Sequence, residues 1–278
     1  MSIDLSTLNV TPKGSLPPMI GIYGTDGVGK TGLALQADDV AYAPTEQRFS
    51  HYEAMNLFQT PENPNAICQS FGQMNSALLA LLEQEHNFKT LVVDSLDHFE
   101  PQIWDAVCQK YDKSGEFVHE ATPKEKRATT VEDYGYGKGY IYADNGWQYF
   151  YSLLNRLRNE KNMTIITVSH YTLKEEKSAE GESFEQYQIK LHKRAAALTR
   201  EVHDAVLFAK FKSHIQKVGE GLRQRNIPVD TGERVLVCQP RPSCVVKTSF
   251  DTMPKEMPLD WAQIKSHIPY FQNQQPNS

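Results

Sequence analysis

The sequence predicts an α/β fold in which a mostly parallel sheet is flanked by helices. Three observations carry that expectation. A short apolar run, Met19 to Tyr23, leads into Gly24-Thr25-Asp26-Gly27-Val28-Gly29-Lys30-Thr31, and a helical pattern follows at once. Two later apolar runs, Leu91 to Val93 and Thr164 to Val168, are continuous rather than alternating, which suits strands buried on both faces. Stretches with leucines at helical spacing separate these runs, and strands alternating with helices imply parallel pairing.

Residues 1–18 are polar with Pro12, Gly14, Pro17 and Pro18, a composition that reads as a flexible lead-in. The first strand follows from Met19, then the glycine-rich loop, then a helix over Lys30 to Ala37 marked by Leu33, Ala34 and Ala37. A second strand at Val40 to Ala43 is halted by Pro44, and 47–67 reads as loop. Leu78, Leu79, Leu81 and Leu82 mark a helix over Met74 to Gln84. Leu91 to Val93 is a strand ended by Asp94, and Pro101 suits the first turn of a helix running to about Tyr111. The polar segment 112–146 reads as a loop insertion. A helix over Trp147 to Glu160 carries a stripe of Phe150, Leu153, Leu154 and Leu157. After the strand at Thr164 to Val168, the charged stretch Lys174 to Glu185 suits a loop or hairpin. Short strands are expected at Ala205 to Ala209, Arg234 to Cys238 and Cys244 to Lys247, and 271–278 reads as a frayed tail. One domain, 19–270, holds all of this.

A chain of 278 residues, 40% hydrophobic, can bury one large core. Its net charge of −5 excludes a global positive field, so any nucleic-acid contact is local. Cys68, Cys108, Cys238 and Cys244 lack the spacing of a metal knuckle or a disulfide framework. Neither a leader segment nor a run of eighteen apolar residues is present, so the expectation is a cytoplasmic protein without a membrane span.

The pattern GxxxxGK(S/T) cradles phosphates. Gly24, Gly27 and Gly29 let backbone N–H groups converge on phosphate oxygens, with Thr25, Asp26 and Val28 completing the loop. Lys30 brings charge to the β and γ phosphates, and Thr31 offers a hydroxyl to Mg2+. ATP with Mg2+ is the expected ligand. Hydrolysis asks for further acidic groups at the ends of neighbouring strands. Asp94 is the candidate for the metal, with Asp97 in reserve. Glu46, after the second strand, reads either as a solvated loop residue or as a carboxylate facing the γ-phosphate. His170, in Ser169-His170, is a candidate γ-phosphate sensor or a structural histidine.

With Gly24 to Thr31, Thr45-Glu46, Leu91 to Ser95 and Thr167 to His170 in that order, the chain resembles the RecA/RadA-like ATPases. That resemblance implies a RecA-like P-loop core and makes Glu46 the group that activates water. Asp133-Tyr134-Gly135-Tyr136-Gly137-Lys138-Gly139-Tyr140 with Trp147, and Val246-Lys247 with Met253-Pro254 and Pro258-Leu259-Asp260-Trp261, are similar to compact phage-encoded members used in recombination and single-strand annealing. The subgroup implies action on single-stranded DNA and a homo-oligomer, ring or filament, with room for a single-stranded-DNA-binding protein as partner. Lys247 reads either as a residue that reaches a neighbouring subunit's nucleotide or as a solvated strand-edge lysine. Here Thr248 and Ser249 stand where the subgroup often has asparagine and arginine, which departs from an arginine finger.

For DNA, Tyr134, Tyr136 and Tyr140 with Lys138 offer stacking faces beside a positive charge, or else pack a loop onto the core. Lys190, Lys193 and Arg194 form a second cluster. A small-molecule or nucleotide kinase is the rival enzyme, but its lid needs arginines and 112–146 holds only Arg127. A nucleotide-binding interaction module without turnover is the rival outside catalysis.

Overall fold

A computed structural model describes residues 12–47, 52–176, 183–218 and 225–274, with the backbone alone over 214–218 and 225–230. In chain order, β1 (Met19–Gly24), α1 (Lys30–Ala34), β2 (Val40–Pro44), β3 (Met55–Asn56), α2 (Phe71–Glu83), β4 (Thr90–Asp94) and α3 (Leu96–Lys110) form the first half. Then come α4 (Lys138–Lys161), β5 (Thr164–Glu176), β6 (Phe184–Ile189), α5 (Lys193–Val202), β7 (Ala205–Val218) and β8 (Arg225–Val237). The last elements are β9 (Lys247–Thr248), β10 (Glu256–Pro258), α6 (Trp261–Ser266) and α7 (Pro269–Gln272).

The strands lie in the order β10-β8-β7-β1-β5-β4-β2-β3, with β6 paired to β5 and β9 to β7. The stretch β7-β1-β5-β4-β2-β3 is parallel throughout, as expected from alternating strands and helices. Leaving β1, the chain passes β5 and β4 to form β2, whereas β7 closes on the other side of β1. Such a reversal opens a crevice at the carboxyl ends of the strands. The register brings Gly24 beside His170, Val168 beside Asp94 and Asp94 beside Pro44.

The central strands are buried on both faces, and their period of two feeds two apolar layers. Met19 and Tyr23 of β1, Leu91 and Val93 of β4 and Ile165 of β5 enter the layer shared with α2, α3 and α4. Ile20, Ile22, Val92, Ile166 and Val168 enter the layer shared with α1 and α6. Ser70 begins α2 by accepting from the Gln73 amide, and Asp260 does the same for α6 from Ala262 and Gln263.

Several boundaries differ from expectation. The third helix opens at Leu96, leaving Pro101 inside it. Burying Leu96, Phe99, Ile103 and Val107 on one face contributes about 1.5–3 kcal/mol per side chain, together more than the ~3 kcal/mol cost of an internal proline. The helix expected from Trp147 begins at Lys138, so the irregular part of the insertion ends at Gly137. Its first turns bury Gly139 and Ala143 rather than leucines. A Cβ on Gly139 would overlap the Val131 carbonyl, so helix and preceding turn pack in direct contact. Of the charged stretch Lys174 to Glu185, the ends belong to an antiparallel strand pair, β5 with β6, with Tyr171 opposite Ile189 and Glu176 opposite Phe184, and 177–182 lie outside the described residues. The strands expected at 205–209 and 234–238 continue as a long antiparallel ribbon, β7 with β8. Along the rest of the ribbon apolar residues such as Phe211, Ile215, Ile227 and Val229 are interrupted by polar ones, which hides it from a search for continuous apolar runs. Of the lead-in and tail, 1–11 and 275–278 lie outside the described residues, and α7 reaches two residues into the expected tail. No helix among the described residues is long and apolar enough to cross a membrane.

Candidate nucleotide-binding site

The three glycines of the loop answer three different demands. A Cβ on Gly24 would overlap the Ala209 carbonyl of β7, so this residue is fixed by strand packing. Gly27 and Gly29 have φ of 70° and 98°, a region where L side chains are strained, and nothing lies within 4 Å of a Cβ on Gly27. The loop therefore presents a concave backbone edge. Lys30 is buried and donates to the carbonyls of Gly24 at 2.9 Å and Thr25 at 3.0 Å, folded over that concavity. Burial pulls the pKa of its ammonium down, opposed by Asp26 and Asp94. The Thr25 hydroxyl is buried and has no partner among the described residues. A loop bent by two left-handed glycines, a desolvated ammonium and an orphaned hydroxyl fit a polyphosphate.

Thr31 and Asp94 meet at the other side of Lys30. The Thr31 hydroxyl donates to Asp94 Oδ2 at 2.6 Å, and Tyr42 donates to the same oxygen at 3.1 Å. Asp94 is fully buried, which raises its pKa, and the two hydroxyls counter that by stabilising the carboxylate. Oxygen donors with an unused carboxylate oxygen suit a hard cation such as Mg2+.

Glu46 follows Thr45, whose hydroxyl donates to the Ser95 carbonyl at 2.7 Å and accepts from the Ser95 amide at 2.6 Å. This reciprocal pair ties the loop after β2 to the loop after β4. Glu46 Oε2 then lies 3.3 Å from His98 Nδ1. His170 donates its amide to Asp97 Oδ1 at 2.9 Å, and its Nδ1 is 3.0 Å from Asp97 Oδ2. Burial pushes Asp97 up, but the His170 contacts win and hold its carboxyl down at about 2. The same contact raises the His170 pKa. Asp26, Glu46, His98, His170 and Lys190 line one cavity of about 410 Å3 beside the loop. Asp97, held in reserve for the metal, instead orients His170.

Sequence reasoning passed over Tyr42, His98, Tyr52 and Arg234. A second cavity of about 770 Å3 opens on the far side of Gly29, bounded by Gln36, Tyr52, Arg234 and Pro258. Arg234 Nη1 is 3.1 Å from where a Cβ on Gly29 would stand. Only the fold of β8 brings this arginine over the loop; no local signal in the sequence marks it.

The residues expected at DNA divide. Tyr134 is buried and donates to the carbonyls of Val107 and Tyr111, so its ring has no free face for a base. Tyr140 stacks on His192 with centroids 4.0 Å apart and donates to Glu132, which occupies one face. Tyr136 is fully exposed, beside exposed Lys138. Lys193 is exposed, Arg194 pairs with Asp144 at 2.6 Å, and Lys190 sits 3.8 Å from Asp97 on the rim of the smaller cavity. Lys247 is not free to reach a neighbour's nucleotide. Its three N–H bonds go to the carbonyls of Arg200, Glu201 and His203, closing the carboxyl end of α5.

Fold and site together define a P-loop nucleotide-binding protein. A family profile for the AAA domain matches residues 16–250, and the chain belongs to that family of P-loop ATPase domains. Among solved structures, the RadB recombinase is similar at 14% identity with a TM-score of 0.36, over 83% of this chain and 86% of that one. A search of curated proteins returned no match.

Proposed function

We propose that the chain binds ATP with Mg2+, hydrolyses it, and couples turnover to single-stranded DNA in phage recombination or strand annealing. The observation that carries the ATPase reading is the convergence of Lys30, Thr31, Asp94, Glu46 and His170 at the carboxyl ends of β1, β2, β4 and β5. Thr31 and Asp94 would hold Mg2+, which when bound would supply charge neutralisation at the phosphates. Lys30 leaves its loop carbonyls for phosphate oxygens. Glu46 accepts the proton of the attacking water, and His170, steadied by Asp97, faces the γ-phosphate.

The DNA reading rests on the sequence resemblance, supported by exposed Tyr136, Lys138 and Lys193. A local basic surface on an acidic chain implies affinity that falls steeply with salt. A homo-oligomer, with a single-stranded-DNA-binding protein as accessory, belongs to the same reading. The test is ATP turnover with and without single-stranded DNA at fixed salt, combined with sizing. Absence of turnover sinks the ATPase; turnover and size indifferent to DNA sink the coupling.

A further inference from the structure

We propose that Glu46, His98 and His170 form a second divalent-metal site, separate from the Mg2+ position at Thr31 and Asp94 and suited to a first-row transition metal. Each residue offers one ligand atom, and these atoms all lie within 4.8 Å of one another. His98 Nδ1 and Glu46 Oε2 are already 3.3 Å apart. Two bonds of about 2.1 Å at a tetrahedral angle place ligand atoms roughly 3.4 Å apart. The two imidazoles, with ring centroids 5.5 Å apart at 74°, need only a small closure.

The surroundings have the form of a metal site's supporting shell. Asp97 holds His170 through Nδ1, which leaves Nε2 as the coordinating nitrogen. The Thr45–Ser95 pair fixes the loop that carries Glu46. The Ser95 hydroxyl, 2.8 Å from His98 Nδ1, is the contact that a metal would displace. The adjoining cavity of about 410 Å3 gives an entry route and room for water in the remaining positions. Two imidazoles and one carboxylate favour Zn2+, Co2+ or Ni2+ over Mg2+, which prefers oxygen donors and keeps its waters. A metal here takes the carboxylate that the proposed hydrolysis needs, so Zn2+ inhibits turnover; that consequence alone rests on the catalytic reading of Glu46.

The test is a titration of the nucleotide-free full chain with Co2+, read by its visible d–d absorption. One Co2+ per chain is expected, without the near-ultraviolet thiolate band, since Cys68, Cys108, Cys238 and Cys244 are all buried. His98→Ala and His170→Ala are expected to weaken binding at least tenfold, and Asp97→Asn by about tenfold through the supporting contact. Lys30→Ala is expected to keep wild-type metal affinity. His98 is half-exposed, and circular dichroism verifies that its variant is folded. No stoichiometric Co2+ binding, or full affinity in folded His98→Ala, overturns the proposal. In a parallel arm, Zn2+ is added during Mg-ATP turnover. Zn2+ bound at these histidines with turnover unaffected supports the metal site and removes Glu46 from hydrolysis.

Discussion

Thr31 and Asp94 are 63 positions apart in the chain, yet a hydrogen bond of 2.6 Å joins the Thr31 hydroxyl to the buried Asp94 carboxylate. The hydroxyl and carboxylate oxygens that would receive Mg2+ are thus held together before any ligand arrives. Asp94→Asn keeps the shape and an acceptor for Thr31 but loses the charge. Mg2+-dependent turnover is expected to fall at least about a hundredfold, on the scale of losing a metal-borne electrostatic contribution. Turnover measured against Mg2+ concentration checks this; an unchanged curve moves the metal elsewhere.

Lys30→Ala removes the ammonium that covers the loop. ATP binding and turnover are expected to drop below detection while the fold remains, because the side chain bonds only to loop carbonyls. Nucleotide binding by calorimetry, paired with thermal melting, separates the two. Wild-type ATP affinity in the folded variant would remove the lysine from the site.

Glu46→Gln separates binding from chemistry. The amide preserves size and a contact toward His98 but cannot take a proton from water, so ATP affinity holds and hydrolysis slows by roughly 10²–10⁴. If ATP favours the DNA-bound assembly, this variant also stays longer on single-stranded DNA. Affinity, turnover and DNA dissociation in one buffer test each link. Slow turnover with an unchanged DNA lifetime keeps the ATPase and discards the coupling.

Lys247→Ala distinguishes a helix cap from a nucleotide contact in trans. Losing three charge-assisted bonds to the end of α5 is expected to cost about 2 kcal/mol, read by urea unfolding, with turnover per folded chain unaltered. A stable variant with lost turnover would restore the intersubunit role.

Glu100 gives a pH signature. Burial pushes its carboxyl up to about 7, against the His192 amide that favours the ionised form. The folded pKa lies above the ordinary value, so the associated stability is full below about pH 4.5 and is lost as pH rises through 7. Glu100→Gln keeps an acceptor for His192 and removes the titration. Relative to the wild type, the variant is expected to gain up to about 3 kcal/mol between pH 4.5 and 8. Parallel pH profiles of urea unfolding check this, and profiles that track each other refute it.

What the sequence determined by itself was the part governed by local rules. The phosphate loop, the strands with β-branched and aliphatic runs, and the leucine-marked helices follow from spacing and burial over a few residues. Asp94 stood out as a candidate because it ends a buried strand, and Glu46, which follows one, became a candidate through the family resemblance. Tertiary structure decided what depends on residues far apart in the chain. Pro101 lies inside a helix because Phe99 and Ile103 have a core to fill, and the start of α4 escaped notice because its buried face is glycine and alanine. Tyr134 and Tyr136 look alike in sequence, but packing against α3 buries one ring and leaves the other in solvent. Lys247 became a cap and Arg234 came to lie over Gly29 for the same reason: a long cation acquires its role from the groups the fold brings within reach, and no spacing rule reports those neighbours.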